Sequence, residues 1–120
     1  MKILLDHNLP RRLCRLLTEH EVRTARQMGW DALENGVLLQ TLATKSFEVF
    51  LTIDKNIRHQ HNLEKLPVAV VVMDSPSNAL PALLPFVPHL VKLLEAPLQR
   101  ILHVIQRDGQ IVTYGRSDSA

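Results

Sequence analysis

Three apolar runs in this chain each end on an aspartate: Lys2-Ile3-Leu4-Leu5-Asp6, Val49-Phe50-Leu51-Thr52-Ile53-Asp54 and Val68-Ala69-Val70-Val71-Val72-Met73-Asp74. Short runs rich in Val, Ile and Leu, with little polar alternation, read as strands buried on both faces, the pattern of a parallel sheet. In an open α/β sheet the carboxyl ends of the strands face a common crevice. Carboxylates gathered there repel one another unless a proton or cation sits between them. The pattern therefore points to a divalent-metal site as well as to a fold.

A length of 120 residues, 46% of them apolar and 22% charged, suits one domain with a real core, spanning 1–120. The longest apolar stretch falls far short of the ~20 residues a helix needs to cross a bilayer, so no membrane association is expected. The chain opens Met1-Lys2 and enters a strand at once, without a secretory-signal pattern, and its one cysteine, Cys14, has no partner for an internal disulfide. Both features lead to a reducing, cytoplasmic setting as the expectation. Net charge is only +2 and does not itself establish nucleic-acid binding. Arginines are dense in the first quarter, however, and Lys55, Arg58, His59 and His61 follow Asp54.

Asn8-Leu9-Pro10 reads as a helix start, with Leu9, Leu13, Leu16 and Leu17 as the apolar face to about Glu19. Residues 22–25 read as a short second strand and 28–32 as a loop. Asn35 is expected to cap a helix over 36–45 that turns Val37, Leu38, Leu42 and Leu39 inward. The polar stretch 54–64 has room for one short helix. Prolines at 76, 81, 85, 88 and 97 divide the region 78–95 into two helices, split near Val87-Pro88. Ile101–Ile105, Asp108-Gly109 and Ile111–Tyr114 form a hairpin signal, and 115–120 reads as a frayed tail. Strands alternating with helices predict an α/β fold: a three-layer α/β/α sandwich with a central, mostly parallel sheet and a C-terminal β-hairpin. The hairpin leaves an edge strand through which a homodimer could form.

Asp6 and Asp54 are the leading metal-ligand candidates, because Asp6-His7-Asn8 and Asp54-Lys55-Asn56 place the same acid-x-Asn group at two strand ends. Oxygen ligands plus waters suit Mg²⁺ or Mn²⁺. The competing role for either acid is a turn that satisfies nearby backbone amides. Asp74 precedes Ser75-Pro76-Ser77, a turn composition. Asn35 is most simply an N-cap and Glu34 a charge favourable to a helix start. His59 and His61 read as polar loop residues near the crevice, and Cys14 as a buried or half-buried small hydrophobe. No Gly-rich phosphate loop, dinucleotide fingerprint or hydroxyl-nucleophile motif is present.

Together the segments Lys2–Pro10, His20-Glu21-Val22, Met28-Gly29-Trp30-Asp31, Leu51-Thr52-Ile53-Asp54-Lys55-Asn56 and Gln60-His61-Asn62-Leu63 resemble the PIN-like nuclease superfamily, most closely its short single-domain branch. The resemblance runs to about Leu94. It implies a metal-dependent endoribonuclease that uses Mg²⁺ or Mn²⁺ to hydrolyse RNA phosphodiesters, and a possible antitoxin protein as partner in a toxin–antitoxin pair. Carried over by position, Asp6 and Asp54 are the metal-holding acids and Asn56 a supporting polar group; the pattern expects a third catalytic acid at the start of the second long helix, which Glu34 supplies if the loop shifts by one or two residues. Beside the resemblance, Asn8 and Asn35 are further supporting candidates, and Arg11, Arg12, Lys55 and Arg58 would hold the nucleic-acid backbone. Related chains often read Asp-Glu-Asn where this one reads Asp6-His7-Asn8, so one carboxylate is missing. The alternative is a catalytically degenerate PIN-like binding or partner module.

Overall fold

The computed structural model describes residues 1–60 and 65–115. His61, the motif through Leu63, and the tail beyond Gly115 lie outside the described residues. The strands are β1 (Lys2–Leu5), β2 (Glu21–Thr24), β3 (Val49–Thr52), β4 (Ala69–Met73), β5 (Leu102–Ile105) and β6 (Ile111–Tyr114). They form one sheet in the order β2-β1-β3-β4-β5-β6. The first five are parallel, and β6 runs antiparallel to β5. The chain is thus α/β with a mostly parallel central sheet.

Pleating sends alternate side chains to opposite faces. Ile3, Leu5, Val49, Leu51, Val71 and Met73 pack on one face, Leu4, Phe50, Val70 and Val72 on the other. Helices α1 (Ala25–Met28), α2 (Asn35–Thr44) and α3 (Ile57–Gln60) precede α4 (Leu80–Leu83) and α5 (Val87–Leu93). A 3-10 helix at Arg11–Leu16 joins α4 and α5 in covering the first face, through Leu13, Leu17, Leu83, Phe86, Leu90 and Leu94. Ala25, Leu38, Leu39, Leu42 and Ile57 cover the second. Both faces being covered is compatible with a sandwich. Each fully buried aliphatic side chain contributes about 1.5–3 kcal/mol.

Several local expectations are corrected. The first helix is a 3-10 helix, starting after Pro10 rather than at Asn8, with no side-chain cap and no acid in its first turn. Leu9, Leu13 and Leu17 are buried, but Leu16 is 38% exposed, because this short tight helix presents only one row to the sheet. Residues 25–28, expected as strand end and loop, form helix α1. It is set by a capping box, in which the Gln27 amide donates to Thr24 Oγ1 and the Thr24 amide donates to Gln27 Oε1. Helix α2 starts one residue early, with Glu34 rather than Asn35 at the cap position, and Val37 faces solvent at 55% exposure. The buried row is Leu38, Leu39 and Leu42. The proline-rich region breaks at a 3-10 turn over Leu84–Phe86, upstream of Pro88, which sits in the first turn of α5.

β5 and β6 are joined by residues 106–110, with Asp108-Gly109 at the turn. The Gly109 amide donates to the Gln106 carbonyl and the Gln110 amide to Asp108 Oδ1. Gly109 has φ +96, and a Cβ there would lie 2.6 Å from the half-buried His89 ring. Gly109→Ala is expected to lose roughly 1–3 kcal/mol of stability in urea denaturation, from backbone strain and the displaced ring.

Cys14 is half-buried against the first core face. Burial pushes its thiol above the ordinary range, against smaller opposing effects of its backbone hydrogen bond and of Arg11 and Arg23. The folded state therefore keeps its proton to higher pH than the unfolded chain. Any stability this contributes is present at neutral pH and declines as pH rises past the unfolded thiol's value, about 8.5. Alkylation by iodoacetamide at pH 8 should be slower for the folded protein than for the same protein in urea.

Candidate functional site at the carboxyl ends of the strands

Chain order and strand order part company at β1. The sequence moves from β1 to β2 on one side, then returns to lay β3 on the other. The carboxyl ends of strands flanking such a switch are where open α/β sheets bind ligands. Asp6 follows β1 and Asp54 lies two residues beyond β3, so adjacent strands deliver both aspartates to this place. The Asp6 amide donates to the Leu51 carbonyl at 2.9 Å, extending the β1–β3 ladder up to the acid itself.

The Thr52 hydroxyl links the two. It is wholly buried, donates to Asp6 Oδ2 at 2.6 Å, and accepts from the Asp54 amide at 3.0 Å. Asp6 is itself only 5% exposed. Its Oδ1 accepts from the His7 amide at 2.8 Å and from His7 Nδ1 at 3.0 Å. The oxygens of a nearly buried carboxyl group need such partners in place of water. Asp54 is more open, and its Oδ1 accepts from the Asn56 amide at 3.0 Å, an Asx turn that starts the approach to α3. Its other oxygen accepts no hydrogen bond from the described residues.

The remaining sequence candidates are distributed unevenly. Glu34 is exposed at the start of α2 and caps it with no side-chain hydrogen bond. Asn35 is half-buried in the first turn. Asn8 is exposed, and its carbonyl accepts from Asn78 Nδ2 at 2.7 Å. Asn56 contributes its backbone amide to Asp54. Asp74 does more than turn the chain, since its Oδ1 lies 2.6 Å from Lys55 Nζ. That pair is solvent-exposed enough to be worth at most about 1 kcal/mol. Among the described residues, no three His, Cys, Asp or Glu side chains converge in a way that could hold a metal ion.

Basic groups flank the acidic pair on both sides. Toward β2, a cleft of about 330 Å³ is lined by His7, Leu9, Arg11, Thr24, Arg26 and Gln27. Toward β5, a cleft of about 220 Å³ includes Lys55, Arg58, His59 and Tyr114. Arg12 is exposed on the 3-10 helix but lines neither cleft. From the sequence, Arg26 stands only among the arginines of the first quarter and Thr52 only within its motif, and neither the Thr52 hydroxyl nor Tyr114 has a role of its own. For Thr52 a signal existed: a lone hydroxyl inside an otherwise apolar strand must find a buried partner.

No family model, curated protein or solved structure matches the chain. No helix among the described residues is long and apolar enough to cross a membrane.

Replacing Thr52 by Val removes the donor to Asp6 while keeping the shape. The expected cost is about 1–3 kcal/mol in chemical denaturation, because a buried acceptor loses its partner. Thr52→Ser, which keeps the hydroxyl, should recover most of that loss.

Proposed function

We propose that the protein is a PIN-like, metal-dependent ribonuclease, with Asp6 and Asp54 at the centre of its site. The supporting observation is the Thr52 hydroxyl, which holds the Asp6 carboxylate and the Asp54 backbone amide together at the strand-order switch. The donor set fits one ion better than two. Mg²⁺ commonly keeps several waters and binds through one or two carboxylates plus substrate phosphates. Asp54 offers an oxygen free of described donors, and Asp6 retains lone-pair capacity beyond its three hydrogen bonds. A bound Mg²⁺ or Mn²⁺ would supply Lewis acidity and a more acidic water.

The protein's own groups hold the polymer. Arg11 and Arg26 on one side, and Lys55 and Arg58 on the other, would neutralise backbone phosphates without reading sequence. Thr52 and His7 keep the Asp6 carboxylate oriented. Glu34 would join only if the loop before α2 moved toward the crevice. Operation as the toxin of a toxin–antitoxin pair in the cytoplasm belongs to the same proposal.

A second reading has its own support. His7 stands where the resemblance calls for a glutamate, and its ring N–H occupies Asp6. With no third acid converging among the described residues, a binding or partner module that no longer cleaves is the alternative. A labelled single-stranded RNA incubated with Mg²⁺ or Mn²⁺ separates the two. Cleavage that is abolished by EDTA and falls more than about 100-fold in Asp54→Asn is the expected result, since even groups that only orient metal ligands cost 10–100-fold. RNA bound but left intact at millimolar Mn²⁺ would establish the module instead.

A further inference from the structure

The smaller basic cleft lies beside the acidic pair, between α3 and the β5–β6 pair. Val72, Leu102 and Val104 supply its aliphatic side; Lys55, Arg58 and His59 its cationic side; Asn56 and Gln106 its amides. Asp74 also lines it, already engaged with Lys55. Tyr114 closes the end at the last position of β6.

Arg58 is exposed and makes two contacts with Tyr114. Its guanidinium carbon lies 4.2 Å from the Tyr114 ring centroid, and Nη1 donates to the Tyr114 hydroxyl at 3.1 Å. Stacking plus a hydrogen bond restricts a side chain that would otherwise lose much rotamer freedom on binding. Only one of its five N–H donors is used by the described residues, which leaves a positioned fork suited to phosphate.

The lining discriminates among ligand chemistries. A simple anion would use the cations and leave the aliphatic side and amides idle. An apolar ligand would leave the cations idle. A nucleotide uses all three: phosphate on the guanidinium and ammonium, base on an aromatic–aliphatic wall, base edge on side-chain amides. At about 220 Å³ the cleft is below the roughly 300 Å³ at which small-molecule pockets begin, so it has room for one base and not for a stack.

We propose that this cleft seats one nucleotide of a single-stranded RNA, its phosphate on Arg58 and Lys55 and its base against Val104 and Tyr114. The proposal rests on the RNA reading above and adds where the strand is gripped outside the acidic pair.

The test is binding in EDTA, where cleavage does not intervene. Tyr114 is the sole tyrosine, so its ring resonances report on the cleft alone. Uridine and adenosine monophosphates should shift them saturably, whereas inorganic phosphate at equal concentration should bind more weakly. Anisotropy with labelled pentauridylate should show affinity reduced about tenfold or more in Arg58→Ala and Tyr114→Ala. Tyr114→Phe, which keeps the ring, should retain most of it. Circular dichroism of each variant confirms folding. Unperturbed tyrosine resonances with either nucleotide, phosphate binding as tightly as they do, or full affinity in folded Arg58→Ala and Tyr114→Ala each overturn the proposal. Nucleotide binding at Tyr114 without any cleavage of RNA in Mn²⁺ would sustain the seat and reject the nuclease. Cleavage with unchanged KM in the two alanine variants would do the reverse.

Discussion

The hydroxyl of Thr52 is the contact on which the arrangement of the crevice depends. It has no access to water, so its donor and acceptor must both be satisfied by the protein. It satisfies them across two strands, giving its proton to Asp6 and accepting the Asp54 amide. This one group fixes the orientation of the first carboxylate and the direction in which the chain leaves β3. The Asx turn at Asp54 then starts the path into α3, and with it the positions of Lys55 and Arg58. A displacement at residue 52 would therefore be felt at both acids and in the basic cleft beyond.

The same contact sets up an opposition within the site. An aspartate with three donors and 5% exposure is a well-satisfied structural charge. A metal ligand needs an oxygen open to the ion. Asp6 meets the first description more fully than the second, and Asp54 the reverse. The two acids are thus unequal: one is an anchored reference charge, the other is the more approachable group. This inequality is what a single ion carried in with substrate phosphate would use. A pre-built cage for two ions would need more open carboxylates than the described residues bring together.

The sheet was legible because strands buried on both faces write themselves as unbroken apolar runs: 2–5, 49–52 and 69–73 are nearly the runs read from sequence. The helices were less so, for a physical reason. Helices α1, α3 and α4 have four residues each, about one turn, too short for any periodicity to develop. What remained readable was capping chemistry, and Thr24-Ala25-Arg26-Gln27 carried it in the open. The exposure of Val37 shows the opposite difficulty, since Val37, Leu38 and Leu39 are consecutive apolar residues and only packing decides which row turns inward. In the site, the adjacency of residues 6 and 54 followed from reading both as strand ends. The roles of Arg26 and Tyr114 did not, because they depend on which strands become neighbours. Sequence order puts β2 beside β1 but gives no reason for Tyr114, 56 residues after Arg58, to stack on it.

Strand order also bears on the kind of ligand such a crevice suits. From β2 to β5 the carboxyl ends span four strand spacings, about 19 Å at roughly 4.8 Å each. Along that line the charge runs basic at Arg11 and Arg26, acidic at Asp6 and Asp54, and then to the Lys55–Asp74 pair, with Arg58 set back from the edge over Tyr114, which pairs with the first residue of β5. A small anion would be served by one of the two basic clefts and gains nothing from the second. Under the proposed function, an extended polyanion would occupy both at once, bringing its central phosphate to the acids despite their charge. The flanking contacts offset a repulsion that a lone phosphate would meet at the centre unaided. Under the proposed function, such a layout would favour a strand long enough to span the crevice, with a phosphodiester beside Asp6 and Asp54.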